Sequence, residues 1–278
     1  MRSARNVVVV GHGMVGHRFV EALRARDADD GWRITVLAEE ADAAYDRVGL
    51  TGYTEHWDRD LLALPGNDYR GDDRVELRLG SRVTEIDRES KTVLTADGER
   101  VNYDALVLAT GSYAFVPPVP GHDLEVCHVY RTLDDLDAIR ASATRAVETG
   151  HAPTGVVIGG GLLGLEAANA LRQFGLDTHV VEMAPRLMAV QLDEAGGALL
   201  GRMIGELGIA VHTGVGTESI RATDRDSVHV TLSDGTVIEA GVVVFAAGVR
   251  PRDELARAAG LGIAERGGVL TDLSCATK

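Results

Sequence analysis

Cysteine is nearly missing from this chain: Cys127 and Cys275 are the only two among 278 residues. Two thiols make neither a disulfide framework nor a four-thiolate iron–sulfur or zinc site, and such sparing use fits a reducing, cytoplasmic setting. Both read as incidental thiols. Positive charge is also short, with 28 Lys plus Arg against 42 Asp plus Glu and a net charge of −14. That balance excludes partners gripped through an anionic surface, both nucleic acid and anionic membrane. Long apolar runs are lacking too. Val7-Val8-Val9-Val10 stops at Gly11, far short of the roughly 20 residues that span a bilayer, so the run reads as a buried strand. There is no low-complexity segment and no long run of like charge.

Glycine, by contrast, is abundant at 33 residues, as expected where backbone must turn tightly or approach a ligand closely. Much of it falls into an internal repeat. A short apolar strand, a glycine loop and a helix occupy Val7 to Arg26, and the same series recurs from Gly155 to Gly175. Each copy is followed by a similar stretch, Val75 to Gly111 and Ile209 to Gly248. Within them, Asp97-Gly98 and Asp234-Gly235 are hairpin turns between alternating runs, Lys91 to Thr95 with Arg100 to Tyr103 and Val228 to Leu232 with Val237 to Ala240. The pattern predicts an α/β fold of two Rossmann-like dinucleotide-binding domains, each a parallel sheet with an antiparallel meander inserted before its last strand. Pro117, Pro118 and Pro120 mark the linker between them, and Thr132-x-x-Asp135 starts a helix with a capping box.

The first glycine loop reads Gly11-His12-Gly13-Met14-Val15-Gly16. In a strand-to-helix setting its glycines have separate tasks: Gly11 for the turn, Gly13 for the approach of a pyrophosphate, Gly16 for close helix packing. Anion binding then falls to the free N–H groups of the helix N-terminus. Glu39 lies 28 residues after Gly11, beyond the usual spacing of about 20 because of an extra loop at Asp27 to Gly31, and is assigned to the adenosine ribose. His12 and His17 are read as a loop and a helix-surface residue, with nothing beside them to complete a metal site. The second loop, Gly159-Gly160-Gly161-Leu162-Leu163-Gly164, is followed after 23 residues by Glu182. An acid there accepts from a ribose diol and repels a 2′-phosphate, which favours NADH with NADPH as the alternative; Arg186 pulls the other way. Two such loops in one chain suggest a resident FAD on the first and an exchanging NAD(P)H on the second. Thr110-Gly111 and Gly248 end strands where ligands of open α/β sheets collect.

Several longer motifs narrow this further: Gly13 to Phe19, Ala44-Tyr45-Asp46-Arg47-Val48, Thr110-Gly111-Ser112-Tyr113, Val157 to Ala168, and Glu182 to Met188 with Gln191-Leu192-Asp193. Over nearly its whole length the chain resembles the N-terminal flavoprotein part of the assimilatory NAD(P)H nitrite reductase large subunit, within the pyridine nucleotide-disulfide oxidoreductase superfamily. Where disulfide- and peroxide-reducing relatives carry a redox cysteine, Ala41 to Tyr53 contains none, so disulfide exchange is not expected. Gly49 and Thr51-Gly52 depart from the family's usual His and Ser pair.

The resemblance implies hydride transfer from NAD(P)H to FAD, then single electrons passed to an iron–sulfur and sirohaem domain where nitrite becomes ammonia. It places Arg47 near the isoalloxazine, paired with Glu166 on the second loop's helix. The iron–sulfur ligands, and a flavoprotein motif ending in Gly-Asp or Gly-Glu, are expected C-terminal to this stretch. The expected domains are an FAD-binding domain at residues 1–118, with 253–278 as a truncated return segment, and an NAD(P)H-binding domain at 119–252. Two other readings stand beside this one: a free-standing reductase of a small redox protein such as a ferredoxin or rubredoxin, and a truncated nucleotide-binding fragment without activity. The first uses the same two sites; the second loses FAD.

Overall fold

A computed structural model describes residues 4–277 and divides the chain into two compact units. The first holds the residues up to Tyr53, Trp57–Tyr113 and everything from Arg250 onward; the second holds Thr54–His56 and Ala114–Val249.

In the first unit, β1 (Arg5–Val10), α1 (Met14–Arg26), β2 (Trp32–Leu37), α2 (Leu50–His56) and β3 (Val75–Arg78) precede a meander of β4 (Val83–Asp87), β5 (Thr92–Thr95) and β6 (Arg100–Asn102), after which β7 (Ala105–Leu108) returns. The main sheet has the order β3-β2-β1-β7 and is parallel throughout. β1 is therefore covered on both faces, which explains its unbroken valines. Val7 and Val9 pack with Val20 of α1, while Val8 and Val10 pack with Ile86 and Val93 of the meander. All four are at most 6% exposed. At about 1.5–3 kcal/mol for each large aliphatic side chain fully buried, this strand is the unit's main apolar anchor.

The chain leaves through β8 (Ser112–Ala114). In the second unit, β9 (Cys127–Val129), α3 (Leu133–Thr149), β10 (Thr154–Ile158), α4 (Leu162–Gln173), β11 (Asp177–Glu182), α5 (Glu194–Glu206) and β12 (Ile209–Thr213) lead into a second meander, β13 (Thr217–Ala222), β14 (Val228–Leu232) and β15 (Val237–Ala240), and then β16 (Val242–Phe245). Its parallel sheet runs β12-β11-β10-β16-β9. Meander residues Val230, Leu232 and Ile238 pack on Ile158, Val181 and Phe245, while Ala167, Ala168 and Leu171 of α4 are buried on the helix face toward β10 and β11. From β17 (Val249–Pro251) and α6 (Glu254–Ala258) onward the chain belongs to the first unit, with Leu255 and Ala259 joining the cluster around Val8.

The twin parallel sheets with inserted meanders match the sequence expectation, and β14 and β15 coincide with the alternating runs. Three details differ. β9 adds an edge strand that three residues of sequence do not announce. The chain passes between the two units at Tyr113 and Val249, where the sequence reading has 118 and 252. α4 begins at Leu162, inside the glycine loop rather than after it.

The capping box forms as read: the Asp135 amide donates to Thr132 Oγ1 (3.1 Å), and the Thr132 amide donates to Asp135 Oδ2 (2.8 Å). Thr132→Ala is expected to cost about 1 kcal/mol of stability, read as a lower urea midpoint with an unchanged slope.

Candidate nucleotide sites

Both glycine loops are built on the same contact. At the first, Gly11 has φ of +104°, and a Cβ there would sit 2.2 Å from the Ala109 carbonyl oxygen. A Cβ on Gly16 would lie 2.2 Å from the Gly11 carbonyl oxygen, so α1 starts hard against the strand that feeds it. At the second, Gly159 has φ of +121° and would clash with the Ala246 oxygen at 2.4 Å, while Gly164 would meet the Gly159 oxygen at 1.8 Å. Gly13 and Gly161 differ in kind. Each is the N-cap of its helix, and a Cβ on either would meet nothing within 4 Å.

That open space faces uncapped helix ends. No side chain caps α1 or α4, and neither has an acid in its first turn. By contrast α3 and α5 are capped by Thr132 and Asp193 and carry acids in the first turn. The two loop helices thus keep free N–H groups and an uncompensated positive dipole end, as an incoming pyrophosphate requires. Met14 and Val15 are exposed on the first turn of α1; on α4 Leu162 is exposed and Leu163 half-buried.

In the first unit Gly11, Glu39 and the Thr110-Gly111 turn gather beyond the carboxyl ends of β1, β2 and β7. Glu39, Thr110 and the Gly111 carbonyl hold the return segment. Thr110 Oγ1 donates to the Arg252 carbonyl (2.8 Å), the Arg252 amide donates to the Gly111 oxygen (3.0 Å), and the Arg252 guanidinium pairs with Glu39. Arg47 ion-pairs with Glu40 at 2.6 Å and lies 4.7 Å from the Tyr45 ring centroid, while Tyr45 Oη donates to Glu40 as well (2.8 Å). Sequence reasoning missed Arg252, whose contact with Glu39 spans 213 residues.

In the second unit Gly159, Glu182 and Gly248 lie beyond β10, β11 and β16. Glu182 is held by backbone: it accepts from the Gly160 amide (2.6 Å) and the Ala184 amide (2.7 Å). A side chain on Gly160 would run into Leu187 and Glu182. Arg186 donates to the carbonyls of Leu192 (3.0 Å) and Ala189 (3.3 Å). Glu166 is half-buried on α4.

His12 and His17 correct the sequence reading. Neither is a loop-surface or helix-surface residue: they are 7% and 4% exposed, gathered on Tyr69, itself 3% exposed. His12 Nε2 is 2.9 Å and His17 Nδ1 3.1 Å from Tyr69 Oη, and the Ala44 amide donates to His12 Nδ1 (3.2 Å). His17 goes inward because it shares a helix face with Gly16 and Val20, a spacing visible in the sequence, and because a buried hydroxyl meets its ring. Among the described residues no group of three or more metal-ligand side chains forms, and no helix is long and apolar enough to cross a membrane. Cys127 is half-buried and its thiol is pushed up to about 11 by desolvation first, then by Asp123, so it is no ready nucleophile.

A sequence profile described as pyridine nucleotide-disulphide oxidoreductase matches residues 5–278. The chain is 52% identical, over 98% of its length, to the NAD(P)H nitrite reductase large subunit of Klebsiella oxytoca, of which it covers 28%. Among solved structures it superimposes with a TM-score of 0.88 at 30% identity on an NAD-dependent persulfide reductase from A. fulgidus, covering 98% of this chain and 51% of that one. The ferredoxin reductase for the CYP199A2 system from Rhodopseudomonas palustris gives a TM-score of 0.85 at 33% identity, covering 98% and 65%. The chain thus spans about a quarter to two thirds of the proteins it matches.

Burial, and after it the neighbouring His17, hold the His12 ring down to about 4 from 6.5. A histidine whose folded pKa is depressed contributes stability that is complete above its unfolded value and lost as pH falls toward the folded one. Stability is therefore expected to decline from pH about 6.5 toward about 4; Tyr69 and His17 face the ring, with Glu21 beside His17 and Arg24 beside Tyr69. Urea midpoints across that window should slope less steeply for His12→Asn than for wild type.

Proposed function

The chain belongs to the pyridine nucleotide-disulphide oxidoreductase family, and from that premise we propose that it passes hydride from NADH to FAD and forwards the electrons singly to an acceptor. The observation that carries this reading is the pair of uncapped helix ends, each behind a loop whose glycines leave open space at Gly13 and Gly161. Bound FAD supplies the two-electron to one-electron exchange that nicotinamide chemistry lacks.

The chain's own residues bind and orient. The first-turn amides of α1, reached past Gly11, Gly13 and Gly16, hold the FAD pyrophosphate, with Met14 and Val15 beside it. Glu39 serves the adenosine ribose, which competes with Arg252 for its carboxylate. Thr110 and Gly111 bring backbone to the cofactor. Glu40 and Tyr45 hold the Arg47 guanidinium on the isoalloxazine side. In the second unit Gly159, Gly161, Leu162, Leu163 and Gly164 serve the nicotinamide dinucleotide in the same way, with Gly248 across from them and Glu166 on the nicotinamide side. Hydride transfer asks mainly for placement at about 3 to 3.5 Å.

Glu182 takes the adenosine ribose of that dinucleotide, its carboxylate already aimed by the Gly160 and Ala184 amides. Arg186, the one nearby cation in the sequence that argued for a 2′-phosphate, spends its guanidinium on the Leu192 and Ala189 carbonyls. We therefore favour NADH, and expect kcat/KM for NADH to exceed that for NADPH by about tenfold or more, equivalent to roughly 1.4 kcal/mol, in a diaphorase assay with an artificial acceptor. Equal values would sink the assignment.

For the acceptor we favour an iron–sulfur and sirohaem domain of a nitrite reductase, given the 52% identity over 98% of this chain. A small redox protein is the second reading, favoured by the likeness to the ferredoxin reductase. The test is direct: load the purified chain with FAD, remove the excess, and add NADH anaerobically. Retained yellow colour that bleaches is the expected result. A colourless protein after loading overturns the flavin assignment, and rapid NADH-dependent reduction of a ferredoxin by the chain alone favours the second acceptor.

A further inference from the structure

The middle residue of a dinucleotide loop is usually of no interest, and in the second loop it has to be glycine: a Cβ on Gly160 would lie 2.6 Å from Leu187 Cδ2 and 2.9 Å from Glu182 Cβ. In the first loop the same place carries His12, whose ring is buried and has both nitrogens engaged.

A backbone amide can only donate, so the Ala44 N–H requires a lone pair on His12 Nδ1. The proton of the neutral ring is then on Nε2, which donates to Tyr69 Oη (2.9 Å); the tyrosine keeps its own hydrogen for His17 Nδ1 (3.1 Å). Each step has one donor and one acceptor, and the directions follow from the first. The far end reaches the surface, where His17 Nε2 lies 3.8 Å from Glu21 Oε2, while Arg24, paired with Asp72 at 2.7 Å, sits 5.6 Å from the Tyr69 ring centroid.

The near end is the one with consequences. Ala44 is 1% exposed, and its carbonyl accepts from the Leu64 amide (3.1 Å) and from Asn67 Nδ2 (2.7 Å). With His12 on its amide, both polar groups of this residue are pinned. The next residues inherit that placement: Tyr45 bridges to Ala63, the Asp46 amide donates to the Leu62 carbonyl (2.8 Å), and Arg47 reaches Glu40.

We propose that His12 is a positioning residue: its Nδ1 fixes the Ala44 amide and so sets the Ala44–Arg47 segment against the flavin, while Tyr69 and His17 hold the ring in the one tautomer that can accept. The proposal rests on the reading that the first unit holds FAD. It links the loop that takes the pyrophosphate to the segment that carries Arg47, so that the two ends of one cofactor are set by one side chain.

Two polar variants of similar bulk separate the ring's two contacts. In His12→Asn the amide oxygen can stand where Nδ1 stands and still accept from Ala44; in His12→Gln the polar end stands near Nε2, serving Tyr69 and leaving Ala44 without its acceptor. The measurement is amide hydrogen exchange at Ala44 in the full chain without added flavin, followed by the visible circular dichroism of the FAD-loaded protein. Exchange at Ala44 is expected to rise by about fivefold to tenfold in His12→Gln, the worth of one net hydrogen bond, and to stay within about twofold of wild type in His12→Asn. The flavin dichroism should change in the Gln variant alone. Equal exchange in both variants, or faster exchange in Asn than in Gln, overturns the positioning role whatever the flavin does. Wild type that takes up no FAD overturns the flavin reading instead, and the Ala44 result still decides what His12 holds.

Discussion

At the head of each nucleotide loop a helix begins so close to the strand before it that a single methyl group cannot be fitted between them. The Gly16 and Gly164 α-carbons press against the carbonyls of Gly11 and Gly159, and those residues turn with positive φ under the carbonyls of Ala109 and Ala246. The rest follows from this steric limit. A helix begun there points its free amides out beyond the carboxyl ends of the strands, and the neighbouring strands, β2 and β7 in one unit and β11 and β16 in the other, bring their following residues to the same rim. The contact demands a rigid strand beneath it, which the doubly buried valines of β1 and the buried Val156 to Ile158 supply.

From this shared start the two loops diverge in how they treat their acids. In the second, Glu182 turns back onto the loop and is fixed by two backbone amides, so its carboxylate is already oriented. In the first, the acid after β2 is engaged from elsewhere: Glu39 by Arg252 of the return segment, Glu40 by Arg47 and Tyr45. An acid set by local backbone is preorganised before any ligand arrives. An acid held by a distant ion pair depends instead on the segment of chain that returns to it. The polar side chain of the first loop, His12, is spent on the Ala44 amide and Tyr69, and Tyr69 on His17, in a place where an unsatisfied group would be costly.

Much of this was legible from local pattern. The hairpin runs at Val228 to Leu232 and Val237 to Ala240, the capping box at Thr132 and Asp135, and the glycine spacing all depend on residues within a few positions of one another, where sterics and turn chemistry act directly. β9 was invisible because a three-residue edge strand has no period to read. The early start of α4 was hidden because leucines in a glycine loop carry no helix-start signal of their own.

The chain's amino acids alone determined that there would be two parallel sheets with meanders, and that each would end in a loop able to receive a pyrophosphate, since both follow from periodicity and from the space a missing side chain leaves. Tertiary structure decided what the polar side chains around those loops do. His12 and His17 became buried partners of Tyr69, and Glu39 a partner of Arg252 from 213 residues away. Such contacts join segments that no local pattern connects. Their geometry exists only once the sheet has brought the loops to one rim, and there the donors and acceptors that meet decide which nitrogen keeps its proton and which acid finds its base.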